Sequence, residues 1–505
     1  MTAVEISESD RQLIEELRSK IKNELELVPS YSDDLSLLRW LVGWDRKIDV
    51  VLPKIKFSLR AIHALGLHKE DLSTLEKVTA KCDECSKPLQ YLPGSLLGYD
   101  KEGNVISLQM IGRLDAAGLM PCTRNSDLYR MRIAESEGVM QIIRAMEKKH
   151  GRQFGTSVIF DLDGLSFSQL DMQAMKVVTT MLAQLQEMFP DVIRKIFVIN
   201  VPSFIQVLWG MVSPCLAKQT QQKIRILGDD WKDVLKEAIG EEVLYENWGG
   251  TRKADTPYGH VRTGGKVPAE LRYDPSNDLP ADKLQKLVVS AKSMNFVPVV
   301  VEAHEVVARV NATWLKWRPM TGVLSDKNIL DRFKSKVYRA VVRSVALYGA
   351  DCWPATKEVE RRLSVMEMKM LRWTVGVTHA DRTRNEKICE RFGIAPIADK
   401  LRETRLRWYG HVLQKHQAGR KISWWWRLES NDIGFVVYRA APGQEQVAEH
   451  VDDFMVHPKF KLQTDFVPED GEILAEEPGV YKFVFDNTHS RLRSKTVRYC
   501  IEVKN

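Results

Sequence analysis

A chain of 505 residues is too long to fold around one core and implies about two to four domains. Hydrophobic residues make up 44% and charged residues 28%, the balance of an ordinary globular protein, and no apolar run approaches the roughly 18 residues that span a bilayer. The acidic start MTAVEISESD lacks the basic-then-apolar pattern of a secretory signal, so the expectation is a cytoplasmic protein whose membrane contacts are peripheral.

The seven cysteines, Cys82, Cys85, Cys122, Cys215, Cys352, Cys389 and Cys500, are odd in number and scattered, which fits reduced thiols. Cys82 and Cys85 form a lone C-x-x-C with no second pair at zinc spacing, so no metal is expected. The net charge of +7 is local: residues 309–413 hold 22 basic and 11 acidic residues, and the remainder holds 52 and 56. One segment therefore supplies the whole positive balance.

In chain order, residues 1–68 read as helices. Asp33-Asp34 cap an amphipathic stretch bearing Leu35, Leu37, Leu38, Trp40 and Leu41, and Gly66 stops the helix carrying Ile55, Leu59 and Ile62. Leu96–Tyr99 and Val105–Met110 flank Asp100–Asn104 as a hairpin. Ser126-Asp127 open a long helix. The period then alternates: strands at Val158–Phe160, Ile196–Ile199 and Ile224–Leu227, and helices bearing Met172–Leu185, Phe204–Val212 and the residues after Asp229-Asp230. That alternation predicts a mostly parallel sheet with helices packed on it. Residues 251–283, rich in Gly, Pro, Thr and Asp, read as a linker. Short strands without intervening helices follow at 287–289, 296–301, 424–428, 434–438, 481–485 and 497–503 and predict a β-sandwich. A helical, Arg- and Trp-rich stretch at 322–413 interrupts it.

Catalytic patterns are missing. Gly259–Lys266 misses phosphate-loop spacing by one residue, puts Val267 where a magnesium-binding hydroxyl belongs, and reads as a flexible loop. No H-E-x-x-H or G-x-S-x-G occurs. Tyr31-Ser32-Asp33-Asp34 matches a polymerase Y-x-D-D, yet its carboxylates open a helix and are better explained as caps.

Leu37-Leu38-Arg39-Trp40-Leu41, Leu96–Asp100, Ile159–Gly164, Phe189-Pro190-Asp191 and Ile199–Pro202, in this order and spacing, resemble the CRAL-TRIO family of lipid-binding and lipid-transfer proteins over residues 30–250. The resemblance implies an α/β pocket for one lipid, gated by an apolar helix: here Phe204–Val212, with Phe204, Ile205, Leu208, Trp209 and Val212 as gate residues. Read from its residues alone, such a helix is buried, covers a lipid or touches a membrane, and a plain core helix is the simplest case. The phosphoinositide-transfer members use Thr-x-x-Lys and an upstream acid for the headgroup, which carries over to Thr220, Lys223 and Asp191. Two departures stand out: Trp44 replaces an Arg, and the choline-lipid Ser and Thr align with Thr156 and Val158. A neutral isoprenoid or sterol-like ligand stays open.

Gly479–Thr488, followed by Ser494-Lys495 and the last strand, resembles a GOLD domain, a β-sandwich of Golgi and membrane-traffic proteins. That resemblance implies protein or membrane contacts, with Arg491, Arg493, Lys495 and Arg498 facing either anionic headgroups or solvent. Ala346–Trp353, Met370–Trp373 and Leu406–Val412 resemble the C-terminal tail of a LINE-type retrotransposon reverse transcriptase, without its polymerase palm.

The expected organisation is multidomain. An α-helical lobe (1–75) and an α/β CRAL-TRIO pocket (76–250) are followed by a linker (251–283) and an all-β GOLD sandwich (284–302 and 418–505), which a helical retroelement-like insertion (303–417) interrupts. The expected function is non-enzymatic binding or transfer of phosphatidylinositol or another hydrophobic ligand, with no cofactor, peripheral contact with Golgi or ER membranes and no nucleic-acid partner. The alternatives are a GOLD-based trafficking adaptor with a regulatory lipid pocket, and nucleic-acid binding through the insertion.

Overall fold

The computed structural model describes residues 6–167, 172–301, 313–326, 329–346, 357–377, 381, 383–399 and 420–504. The N-terminal lobe consists of α1 (Glu8–Lys20), α2 (Lys22–Leu27), α3 (Asp34–Gly43), α4 (Ile48–Ala64) and α5 (Leu75–Glu84). Its starts and stops follow local chemistry. Asp33 caps α3 by accepting the Ser36 N–H at 2.9 Å, as expected for the Y-x-D-D match, and Tyr31 turns inward to donate to Glu137. Gly66 leaves α4 at φ +73°, a left-handed turn that costs glycine little.

The α/β part runs β1 (Ser95–Tyr99), β2 (Val105–Gln109), α6 (Ala116–Leu119), α7 (Asn125–His150), β3 (Thr156–Asp161), α8 (Met172–Met188), β4 (Ile193–Ile199), α9 (Ile205–Val212), α10 (Lys218–Gln221), β5 (Ile224–Ile226) and α11 (Trp231–Ala238). The strands form one sheet in the order β1-β2-β3-β4-β5, antiparallel at the first pair and parallel thereafter. Asp100 closes the β1–β2 hairpin: its carboxylate accepts the N–H groups of Glu102 and Asn104 and the Ser157 hydroxyl.

The two faces of the sheet differ, because alternate residues of a strand point opposite ways. Ile106, Leu108, Ile159, Phe197 and Ile199 pack on Leu235, Ile239 and Trp248. Ser107, Val158, Phe160, Ile196 and Val198 face a cavity instead.

Residues 251–283 contain only short turns, as the composition suggested, but they are docked, which corrects the reading of 259–266 as a flexible loop. Arg252 donates to the Leu97 carbonyl, Val261 is buried, and Arg262 pairs with Asp83 and forms a β-bridge with Gly94. Residues 252–262 thus form a strap along β1.

The C-terminal part holds β6 (Gln285–Val289), β7 (Met294–Val301), β8 (Arg420–Leu428), β9 (Asp432–Arg439), β10 (Phe454–Gln463), β11 (Glu469–Ala475), β12 (Gly479–Asp486) and β13 (Lys495–Lys504). They form two antiparallel four-stranded sheets, β10-β9-β12-β7 and β11-β8-β13-β6. The sheets meet face to face through Trp424 and Trp426 of β8, whose rings contact Phe435, Phe483 and Phe485. The basic cluster read from sequence does not form one surface. Lys495 is buried against Asp432, and Arg498 pairs with Glu429.

Between β7 and β8 the described residues form helices at Thr321–Ser325, Asp331–Val337, Lys357–Val375 and Asn385–Phe392. They have their own core, including Leu324, Leu363, Met366, Met370 and Ile397. Met370–Trp373 lies on the third helix; residues 347–353 and 406–412, which also carried the retroelement resemblance, lie outside the described residues. The segment leaves and re-enters at one end of the sheets: Val301 pairs with Gly479, and Arg420 pairs with Ala475, at either end of one short β11–β12 turn.

Candidate lipid cavity

Between the open face of the sheet and α7, α8 and α9 lies a cavity of about 520 Å³. Its wall is aliphatic and aromatic over most of its extent, including Val139 of α7, Met181 and Leu185 of α8, and Phe160 and Val198 of the sheet. Buried apolar surface with no protein side chain against it favours an apolar ligand.

One long side of the cavity is α9. None of its residues is buried, and Val207 is 43% exposed, so the helix is not the plain core helix that its composition also allowed. Ile205, Leu208, Trp209 and Val212 line the cavity. Phe204 does not; it precedes the helix and meets the 61%-exposed Phe167 edge to face at 5.7 Å. The wall on this side is therefore one turn-and-helix segment, with the cavity beneath it and solvent above.

At the end where β3, β4 and β5 begin, the structure brings Asp191, Thr220 and Lys223 together. Lys223 Nζ donates to Asp191 at 2.9 Å and to the Ile193 carbonyl at 2.7 Å. The other Asp191 oxygen receives Arg194 at 3.1 Å. Burial pushes the Asp191 carboxyl up, but Arg194 and Lys223 outweigh it and hold the group below its ordinary value. Its φ of +48° is a left-handed conformation that Asp tolerates better than most residues. The Thr220 hydroxyl donates to Gln186 at 3.4 Å. All three residues expected from sequence are thus present, and all three are already hydrogen-bonded within the protein. Arg194 and Gln186 escaped the sequence reading because neither belongs to a motif.

A second polar group sits where β2 ends. Arg132 pairs with Glu135 at 2.6 Å and donates to Gln109 at 2.9 Å, and Gln109 donates to Ser107 at 3.0 Å. Gln109 pairs with Phe160, four residues beyond Thr156 on the same strand, so the two polar ends are about 13 Å apart along the sheet.

Buried polar contacts frame the first end. Arg39 of α3 is buried, pairs with Glu147, and donates to the carbonyls of Asp191 and Phe154 at 2.7 Å each. Cys82 and Cys85 are unbridged, and burial raises both thiols, Cys85 to about 11. No cluster of potential metal ligands occurs among the described residues.

Residues 89–250 match the CRAL/TRIO domain family. The chain is 26% identical over 255 residues to a CRAL-TRIO domain-containing protein of Caenorhabditis elegans, covering 50% of this chain and 60% of that one. It is 26% identical over 249 residues to the phosphatidylinositol/phosphatidylcholine transfer protein SFH4 of Arabidopsis thaliana, covering 47% and 38%. A crystal structure of Sfh5 aligns at a TM-score of 0.39 and 15% identity over 50% of this chain and 91% of that one. The chain thus spans less than two thirds of either curated relative. Most of the residues that line the cavity fall within the segment that matches the CRAL/TRIO domain family.

Proposed function

We propose that the protein is a non-enzymatic lipid carrier that holds one lipid in the α/β cavity, exchanges it across α9, and delivers it at a membrane surface. The observation that carries this reading is an apolar cavity of about 520 Å³ walled on one side by a helix with no buried residue. A segment with few buried contacts opens at low cost, as ligand exchange requires. Asp191, Thr220 and Lys223 form the polar end that meets the ligand's headgroup, of phosphatidylinositol or of another amphiphile. The GOLD resemblance of the C-terminal sheets supports a cytoplasmic protein that visits Golgi or ER membranes.

Native mass spectrometry of the full chain purified from its own cells tests the reading. One lipid adduct per chain is expected. Chains uniformly free of lipid, which also fail to take lipid up from vesicles, would overturn it.

One observation favours a second reading, a trafficking adaptor whose pocket regulates docking. Helix α8 lines the cavity and also reaches the β-sheets, through Lys176 to Asp432 at 2.7 Å. Under that reading, cavity-filling substitutions change binding of a protein partner while lipid transfer between vesicles stays at background.

A further inference from the structure

Leu492 is 91% exposed on the loop that joins β12 to β13, with Arg491 and Arg493 exposed on either side of it. The loop is held at its base. Asn487 is buried there and donates through its side-chain amide to the carbonyls of Val289 at 3.2 Å, Ser290 at 3.1 Å and Arg493 at 2.9 Å. The Ser490 hydroxyl donates to the Arg493 carbonyl at 3.0 Å, and the N–H of Lys292, in the β6–β7 turn, donates to the Ser490 carbonyl at 3.0 Å. Loop and turn thus form one tip, which presents Leu492, Arg491, Arg493 and Lys292 to solvent. Moving such a leucine out of water is favourable.

The tip is also cationic. The acids at this end of the neighbouring strands are already paired: Glu429 with Arg498, Asp486 with Lys459, and Asp432 with His489, Lys495 and Lys176. Asp465 is exposed, but it belongs to the β10–β11 turn, two strands from β12. Among the described residues, no acid pairs with Arg491, Arg493 or Lys292. One leucine and three cations offer far less apolar area than a stable protein interface needs. They match an anionic bilayer, whose headgroups meet the cations while the apolar side chain enters the acyl boundary.

The tip has a fixed relation to the cavity. Asp432 takes His489 of the loop on one carboxylate oxygen at 2.8 Å and Lys176 on the other at 2.7 Å. Lys176 lies in the second turn of α8, the end of that helix nearer in sequence to Phe167, which meets Phe204 at the start of α9. One carboxylate therefore joins the tip to the α9 side of the cavity.

We propose that the β12–β13 loop is a docking site for an anionic membrane surface, with Leu492 as the inserting residue and Arg491, Arg493 and Lys292 as its cationic collar, and that docking turns α9 toward that surface. The purpose of this docking rests on the lipid-carrier reading, for which it names the surface that meets the membrane.

The test is flotation of the full-length protein with vesicles of phosphatidylcholine, alone or with about one fifth phosphatidylserine, and native mass spectrometry of the same preparation. The wild type is expected to bind the phosphatidylserine vesicles at least about tenfold more tightly than the neutral ones, and to lose most of that binding in about 0.5 M salt. Arg491→Ala combined with Arg493→Ala lowers the affinity at least about tenfold, and Leu492→Ser at least about threefold. Arg498→Ala, whose cation already pairs with Glu429, binds as the wild type does. Leu492→Ser keeps the wild-type melting temperature, because the side chain is exposed, so its loss of binding is separate from any loss of fold. Binding that the loop substitutions leave unchanged overturns the proposal and gives the membrane contact to another surface. Equal binding to the two kinds of vesicle overturns it too. A wild type that carries a lipid adduct yet binds neither vesicle overturns the docking site and leaves the carrier reading standing. One that binds through the loop but neither carries nor takes up lipid overturns the carrier reading and leaves the docking site standing.

Discussion

Glu469 of β11 accepts the backbone N–H of Ser126 at 3.1 Å, so a side chain from the C-terminal sheets caps the first turn of α7, a helix that walls the cavity. The first N–H groups of a helix have no intrahelical partner and carry partial positive charge, which a carboxyl from another domain can satisfy. Neighbouring contacts repeat the link: Asn125 donates to the Gln463 carbonyl, Tyr129 to that of Lys461, and Arg124 to that of Asp470. The sheets and the cavity wall are thereby one mechanical unit.

This contact is pH-sensitive. Burial pushes Glu469 from 4.5 to about 7, against the opposing Ser126 and Arg124 interactions. A carboxyl whose folded pKa is raised stabilises the fold fully below its unfolded pKa, and the contribution is lost as pH rises through the folded value. The stability difference between wild type and Glu469→Gln should therefore change by a few kcal/mol, to order of magnitude, between about pH 4.5 and 7, with the variant gaining relative to wild type as pH rises. Thermal denaturation across that range checks it; parallel curves for the two proteins would remove Glu469 as the titrating group.

Asp432 joins three elements. It receives Lys176 of α8 at 2.7 Å, His489 at 2.8 Å, Lys495 at 3.4 Å and Lys461 at 3.7 Å. Burial raises its carboxyl, but the His489 and Lys176 hydrogen bonds and the nearby lysines hold it well below the usual range, so its contribution is fully present above the unfolded pKa and is lost progressively as pH falls below it. Asp432→Asn leaves Lys495, 6% exposed, without its counter-charge and should cost about 3–5 kcal/mol. Lys176→Ala, at a side chain 46% exposed, should cost less than about 1 kcal/mol. Urea denaturation at neutral pH measures both, and equal losses would contradict the assignment.

Leu208→Glu puts a carboxylate on the cavity side of α9, where it must be desolvated or push the helix away. Lipid loading should fall at least about tenfold, while the melting temperature moves by no more than about 2 °C, because no residue of α9 belongs to the core. A drop in melting temperature as large as that of a core substitution would mean that α9 is structural.

Replacing residues 303–417 by a short Gly/Ser linker should leave lipid loading and the melting transition of the remainder unchanged. The segment has a core of its own and departs and returns beside one β11–β12 turn. The excision removes 23 basic and 12 acidic residues, so it should also reverse the sign of the net charge, which electrophoretic mobility near neutral pH will show. A chain that no longer unfolds cooperatively would show that the segment supports the sheets.

The α/β order, the hairpin closed by Asp100, the Asp33 cap, the paired-sheet character of the C-terminal strands and the isolation of positive charge in one segment were all legible in the sequence. Each is a matter of local periodicity, capping or composition, which act over a few residues. Asp191, Thr220 and Lys223 were legible only through resemblance, and the contacts of Asp191 with both Lys223 and Arg194 were not. The Lys223–Asp191 pair spans 32 residues, the Arg39–Asp191 bond 152, and the Glu469–Ser126 cap 343. Contacts at such separations leave no periodic trace. The same holds for residues 252–262, whose loop-like composition says nothing of their contacts along β1. It holds too for the Trp44 indole and the Thr156 hydroxyl, buried polar groups with no hydrogen-bond partner among the described residues. Sequence gives the identity of those two side chains, but whether a buried N–H or O–H has a partner depends on every chain segment around it, and only the tertiary structure decides that.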